Sequence, residues 1–320
     1  MKFAIKLFPE ITLKSRPVRK QFINQLRRNI KNSLKYNNIE SQVQGQWDSI
    51  EVTMDGDELE LPARACMQRI PGIDKILTVK EHNFQTFDDI LDIAETIYRP
   101  EIAGKSFCVR VKRSGDHDFR SIDVERYVGG GLRQRVEGSS VKLKNPDYTV
   151  KMEIRKQRLL TISSIDKGMG GYPHGCLDGV LSLMSGGFDS TVASYLMSRR
   201  GLLTHFVFFN LGGTAHEVGV KQAAHYLWKQ YAISHGVKFV TVPFEDVVTE
   251  ILKSVDNSQM GVILKRMMLR AASKVAEDLG IETLVTGECI AQVSSQTLRN
   301  LNVIDSVTDT LVLRPLICMD

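Results

Sequence analysis

What this sequence has little of narrows the field first. Only five cysteines occur in 320 residues, Cys66, Cys108, Cys176, Cys289 and Cys318, odd in number and far apart. None forms a C-x-x-C pair, which excludes a zinc ribbon and a thioredoxin-type redox motif and leaves buried free thiols in a reducing compartment. No apolar run approaches the ~18 residues of a membrane helix. The longest, around Gly201–Leu211, suits a buried strand. Pro9 and Glu10 interrupt the N-terminus before a signal-peptide core can form. The expectation is a cytoplasmic chain with no membrane contact. There is no internal repeat and no low-complexity tract. With 42% hydrophobic and 25% charged residues, disordered and fibrous classes are excluded. The length suits two or three domains.

Charge is unevenly spread. The net is +5, but residues 1–165 carry +7 and residues 166–320 carry −2. Within the first part, Met1–Ile50 holds 10 basic and 3 acidic residues, whereas Glu51–Pro100 holds 5 and 11. A local basic excess of this kind is what a polyanion-binding surface needs, and also what solvated helix faces produce.

The hydrophobic pattern divides the chain. Residues 2–7 alternate as a strand; Phe22, Ile23, Leu26, Ile30 and Leu34 then recur at helical spacing after Ser15 and Pro17, with arginines and lysines opposite. Strands are expected at Ser49–Met54, Ile76–Val79, Ser106–Val111, Tyr148–Ile154 and Arg158–Ile165. Helices are expected at Glu58–Ile70, Phe87–Tyr98 and Ile122–Gln134, the last interrupted by Gly129–Gly131. A glycine-rich segment, DKGMGGYPHGCLDG, precedes a change of pattern. Beyond it, fully apolar strands (Val180–Met184, Leu203–Phe209, Lys238–Val242, Thr283–Thr286, Thr310–Leu313) alternate with helices, which indicates a doubly wound parallel sheet.

The strongest local motif is Leu183–Thr191, LMSGGFDST, where a buried strand passes into a helix. Ligands bind at that edge of an open α/β sheet. Glycines admit an anion, the helix start offers free N–H groups, and Ser185 and Ser190 add hydroxyls. Asp189 has no reason to face a phosphate directly, so a bridging Mg2+ follows. A plain strand-to-helix turn capped by Asp189 or Ser190 is the bland alternative. Ala103–Ser106, AGKS, ends like a Walker loop, but Arg99 stands where its first glycine is required.

The string S-G-G-x-D-S resembles the PP-loop of the ATP pyrophosphatases. Further stretches, KLFPEITLKS, FCVRVKR (107–113), SIDVERYVGGGL (121–132), KNPDY (144–148), FFNLGG (208–213), MGVILKRMMLRAA (260–272), TGECIAQVSSQ (286–296) and LRPL (313–316), resemble the bacterial tRNA 4-thiouridine synthetase (tRNA uridine 4-sulfurtransferase) family along the whole chain. The resemblance implies an α/β chain in three parts: a ferredoxin-like domain (1–60), a THUMP RNA-binding domain (61–165) and, after a linker (166–179), a PP-loop domain (180–320). It implies ATP contacts at Leu183, Met184, Ser185, Gly186, Gly187, Asp189, Ser190, Lys265, Gly287 and Gln296, with Asp189 and Lys265 catalytic and Asp189 carrying the Mg2+. Read alone, Lys265 is a solvated lysine, Gly287 a turn and Gln296 a surface amide. For RNA, Lys14, Arg16, Arg110, Lys112, Arg113, Arg120 and Arg133 are candidate phosphate contacts and His117 and Phe119 candidate contacts to sugar or base, against a solvated face for each single arginine and core packing for Phe119.

The family adenylates O4 of uridine 8 in tRNA and then replaces that oxygen with persulfide sulfur, which implies tRNA and a persulfide-donating cysteine desulfurase as partners. Homodimers and a role in thiazole synthesis for thiamine are also family properties. The family's sulfur-relay cysteine lies in a P-E-Y-C-G type motif beyond L-R-P-L, and these 320 residues do not contain it. The expectation is therefore an enzyme lacking that segment. The alternatives are a non-catalytic tRNA-binding fragment, an adenylation-only subunit, or a PP-loop acting on a small-molecule acceptor.

Overall fold

A computed structural model describes residues 1–46 and 49–319. The first 83 residues run β1 (Lys2–Leu7), α1 (Pro9–Thr12), α2 (Arg16–Tyr36), β2 (Gln42–Gly45), β3 (Ser49–Thr53), α3 (Glu60–Met67) and β4 (Ile73–Asn83). Helix α2 buries Phe22, Ile23, Leu26, Ile30 and Leu34 on the sheet, as their spacing predicts, and leaves its basic face to solvent. Then follow α4 (Phe87–Ile102), β5 (Ser106–Ser114), α5 (Ser121–Arg135), β6 (Ser140–Val141), β7 (Tyr148–Arg155) and β8 (Arg158–Lys167).

These two stretches share one eight-stranded sheet, ordered β2-β3-β1-β4-β8-β7-β5-β6. Strand β4 joins them: it pairs antiparallel with β1 on one side and β8 on the other. It is far longer than the four residues expected, because much of it is buried between two neighbours and both of its faces are used. Helix α5 also corrects an expectation. It runs unbroken through Gly129–Gly131. Glycine weakens a helix by about 1 kcal/mol relative to alanine. Here it lets α5 lie close on α4, since a Cβ on Gly131 would stand 2.4 Å from the Leu91 side chain.

The third part comprises β9 (Gly179–Met184), α6 (Phe188–Arg200), β10 (Leu203–Asn210), α7 (Thr214–Leu227), β11 (Phe239–Pro243), α8 (Glu245–Ser254), α9 (Met260–Leu279), β12 (Thr283–Val285), α10 (Leu298–Asp305) and β13 (Leu311–Leu313). Its five strands are all parallel, in the order β11-β10-β9-β12-β13. Helices α8, α9 and α10 contribute to one core layer and α6 and α7 to the others, so the sheet is doubly wound as expected. Strand order reverses at β9, and the ends of β9 and β12 define a crevice there.

The glycine-rich segment before β9 is packed. The Tyr172 hydroxyl donates to Glu10 at 2.7 Å, and its ring lies edge-on to Phe22. Buried His174 pairs through Nε2 with the Ser198 carbonyl at 3.0 Å, while Asn29 donates to the His174 carbonyl at 3.0 Å. The segment thus ties α2 to α6. Among the described residues, no helix is long and apolar enough to cross a membrane.

Candidate nucleotide site and basic cleft

The loop after β9 is held by its own side chains. The Ser190 hydroxyl accepts from the Ser185 N–H at 3.2 Å and donates to the Gly187 carbonyl at 3.2 Å. Thr191 donates to the same carbonyl at 2.9 Å, and His216 Nε2 meets the Ser185 carbonyl at 3.0 Å. Gly187 is the N-cap of α6 and no side chain caps it, so the first-turn N–H groups stay available to an anion. Both serines that the sequence offers as phosphate donors thus also brace the loop.

A cavity of about 240 Å³ lies beside this loop. Leu183, Ser185, Asp189, Ser190, Lys265, Gly287 and Gln296 line it together, although they come from three separate stretches of sequence. Leu183, Met268, Leu269 and Ile304 make its apolar wall. Met184 points the other way: its side chain is buried among Phe206, Phe208 and Val220, so only its backbone is on the site's side. Gly186 and Gly187 lie on the exposed loop outside the cavity lining. Gly287 is required by close approach, since a Cβ there would stand 2.5 Å from the Ser190 nitrogen and 2.6 Å from the Asp189 carbonyl carbon. Gln296, a surface amide when read alone, is buried, and its Oε1 has no hydrogen-bond partner. An orphaned buried acceptor is costly and suits a site that a ligand completes.

Sequence reasoning missed the charge network behind Lys265. Lys265 Nζ lies 2.7 Å from Glu288 Oε1, and Arg314 Nε donates to Glu288 Oε2 at 2.8 Å. Arg314 also makes a two-pronged pair with Asp305, at 2.9 and 2.6 Å, and Thr286 donates to Glu288 at 3.0 Å. Burial pushes the Glu288 carboxyl up, but Lys265 and Arg314 outweigh it and hold it below the ordinary range. Read alone, Lys265 is a solvated lysine; here it is an ion-paired one. The signal available in sequence was only that Glu288 and Arg314 sit inside the stretches TGECIAQVSSQ and LRPL. Asp189 accepts from Gln292 Nε2 at 3.1 Å.

The RNA candidates fall into separate groups. Lys112 and Arg113 line a cleft of about 640 Å³ on the open face of the large sheet. Seven basic and three acidic side chains line it, including Lys2, Lys6, Arg155 and Arg158, which the sequence reading did not single out. Glu51, Glu81 and Glu153 neutralise part of this charge: Lys6 pairs with Glu153 at 2.8 Å, Arg155 with Glu51 at 2.8 Å and Arg158 with Glu81 at 2.7 Å. Lys112 has no ion-pair partner among the described residues. Arg113 donates to the His117 carbonyl and lies over the Phe119 ring at 5.9 Å. His117 is held between the Gly115 and Lys156 carbonyls, and Phe119 packs edge-on against Phe87. Arg110, also on β5, bonds the carbonyls of Val109 and Leu143. Lys14, over the Tyr172 ring, and Arg16 lie at the start of α2. Arg120, paired with Asp123, is the N-cap of α5, and exposed Arg133 lies within that helix.

Fold and site together define a PP-loop nucleotide-binding domain carried behind a ferredoxin-like unit and a THUMP unit. Comparison with known proteins agrees along the chain. The ferredoxin-like domain model of ThiI matches residues 3–76, the THUMP domain model residues 84–163, and the model of the thiamine biosynthesis protein ThiI residues 175–320. The tRNA sulfurtransferase of Shewanella amazonensis is 56% identical over 322 residues, and that of Escherichia coli is 57% identical over 320. Each match takes in 100% of this chain and 66% of the relative, so the chain spans just under two thirds of those proteins. A crystal structure of a 4-thiouridine synthetase–RNA complex with bound ATP superposes with a TM-score of 0.84 at 27% identity, covering 100% of this chain and 82% of that one. The chain belongs to the tRNA sulfurtransferase (4-thiouridine synthetase) family.

Proposed function

We propose that the chain carries out the ATP-dependent activation step of tRNA 4-thiolation, adenylating O4 of uridine 8. The observation that carries this reading is the cavity at the sheet's switch point, where the S-G-G-x-D-S loop, Lys265, Gly287 and the unpartnered Gln296 amide converge. ATP is the substrate of this site, its adenosine against Leu183 and Met268 and its phosphates on the loop N–H groups. Lys265 leaves Glu288 for the phosphates as they arrive. O4 attacks the α-phosphorus, pyrophosphate leaves with the electron pair of the broken P–O bond, and the imide N3 gives up its proton. Oriented N–H groups and a lysine stabilise the charge that builds on the phosphorus oxygens.

Asp189 fits a Mg2+ role of a limited kind. Among the described residues no three His, Cys, Asp or Glu side chains gather to hold a metal unaided. One carboxylate together with triphosphate oxygens is a donor set that Mg2+ accepts. Bound there, it supplies charge neutralisation on the phosphates.

The basic cleft holds the tRNA, through phosphate contacts at Lys112 and Arg113 and by the shape of the folded RNA. In the proposed division of labour, residues 1–60 and 61–165 bind RNA and residues 180–320 activate it. Sulfur then arrives as persulfide from a cysteine desulfurase in the cytoplasm and displaces AMP. Cys66 and Cys176 are poor carriers for it, since burial pushes both thiols up to about 11. A second use in making the thiazole of thiamine rests on the family's description alone, and sedimentation tests the homodimer expected of the family.

The deciding experiment measures pyrophosphate release from ATP with unmodified tRNA, with and without a persulfide donor, while 4-thiouridine is followed by its near-ultraviolet absorbance. Pyrophosphate without thiouridine places the activation half in these residues. Thiouridine means that a cysteine of this chain, or an external carrier, completes the reaction. No tRNA-dependent pyrophosphate sinks the proposal and leaves an RNA-binding module.

A further inference from the structure

A second cavity, of about 460 Å³, opens next to the nucleotide cavity and shares Asp189 with it. The segment 287–292 is the partition. Gly287 and Glu288 face the nucleotide side, and Ile290–Gln292 face the other. Val192, Ile290, Leu316 and Met319 make the second cavity's walls apolar. Exposed Gln292 also lines it, with Nε2 donating to Asp189 Oδ2 at 3.1 Å. The turn that presents it holds Ala291 at φ 63°, a left-handed conformation uncommon for a residue with a side chain.

We infer that this second cavity seats the uracil to be modified, flipped out of the RNA, and that the Gln292 amide reads its imide edge. This rests on the activation reading above. An acceptor must reach the α-phosphorus from the side away from the departing pyrophosphate. A cavity separated from the nucleotide by one segment, and joined to it at Asp189, is placed for that. Enzymes that act on a base take it out of the stack, hold it between apolar or aromatic side chains and read its pairing edge by hydrogen bonds. A glutamine amide offers an N–H donor beside a carbonyl acceptor. Uracil offers the complement, O4 as acceptor beside N3–H as donor, whereas cytosine reverses both. A free amide would serve either base by turning over. The bond to Asp189 spends one N–H and fixes which end is which, leaving the second N–H for O4 and Oε1 for N3–H. The same carboxylate thus orients the reader of the base and borders the nucleotide site. Nothing in the sequence separates Gln292 from its neighbours; the partition does.

Two measurements test this. tRNA carrying 4-thiouridine at position 8, itself a near-ultraviolet cross-linker, is bound to the intact chain and irradiated. Cross-links are expected in the peptides holding Ile290–Gln292 or Leu316–Met319. A saturated complex that cross-links only elsewhere, or not at all, overturns the assignment. In kinetics, Gln292→Ala should slow tRNA-dependent pyrophosphate release at saturating ATP and tRNA about tenfold or more. ATP and tRNA affinities should stay within about twofold in the same variant, as befits a single exposed side chain. An unchanged rate overturns it as well. Absence of pyrophosphate release from the unsubstituted chain would defeat the activation reading instead, and the cross-link would still decide where the base sits.

Discussion

At the nucleotide cavity, Lys265 closes on Glu288, which Arg314 and Asp305 back from behind, and among the described residues lining it the open demand is an uncharged acceptor, Gln296 Oε1. In the basic cleft, seven cations face three carboxylates and the surplus looks outward. The first arrangement can be small because backbone makes it: a loop at a strand end, a helix start, and Gly287 pressed against α6. Its charges centre on buried Glu288 and are satisfied locally. The second is broad and solvated, where single ion pairs contribute little and the summed field does the binding. One region therefore depends on each member and the other on the total.

Substitutions should expose this difference. The largest effect is expected from Asp189→Ala, which should lower tRNA-dependent pyrophosphate release by about 100-fold or more, the scale of losing a positioned electrostatic group, with tRNA affinity nearly unchanged. Equal loss of both would break the separation of the two sites. Glu288→Ala comes next. It leaves Lys265 and Arg314 without their shared carboxylate, a loss of about 3 kcal/mol for a largely buried pair, read as a lower urea midpoint. Glu288→Gln should recover part of it.

A third test uses pH at the junction that joins the regions. Burial holds the His174 imidazole down at about 4, below its ordinary 6.5, despite the Ser198 carbonyl. The unfolded chain therefore takes up the proton first as pH falls below 6.5. Stability is full above that value and is lost progressively down to about 4. Between pH 7 and 5 this group alone should cost about 2 kcal/mol. Denaturant titrations of His174→Gln should show a flatter dependence; an unchanged slope would place the acid sensitivity elsewhere. The smallest effect is expected in the cleft. Lys112→Ala with Arg113→Ala should weaken tRNA binding about tenfold and lower the slope of log affinity against log salt by about 1 to 2, leaving ATP binding alone. A single substitution with the whole effect would mean that the cleft, too, depends on one member.

The comparison also explains what could be read in advance. The periodicities placed α2 and the apolar strands of the parallel sheet, because burial of one face or both leaves a direct imprint on residue order. They stopped short on β4 and wrongly broke α5, since a strand's neighbours and the space available to Gly131 are set by other parts of the chain. The S-G-G-x-D-S loop was legible because a phosphate loop is local: strand, turn and helix start are consecutive residues. Arg155, Arg158, Lys2 and Lys6 were not, as each is unremarkable until β4 brings β1 into one sheet with β8 and β7.

By itself, then, the sequence determined the alternation of elements, the loop that meets phosphate and the basic bias of the first half, all of which are written in neighbouring residues. Only the tertiary structure decided that Glu288 would hold Lys265, that Gln296 would be buried with an open acceptor, and that Asp189 would stand between two cavities. Those depend on β9 and β12 lying adjacent at the point where strand order reverses, where residues a hundred positions apart meet, and where a buried acceptor such as Gln296 Oε1, left unmet, carries its full cost.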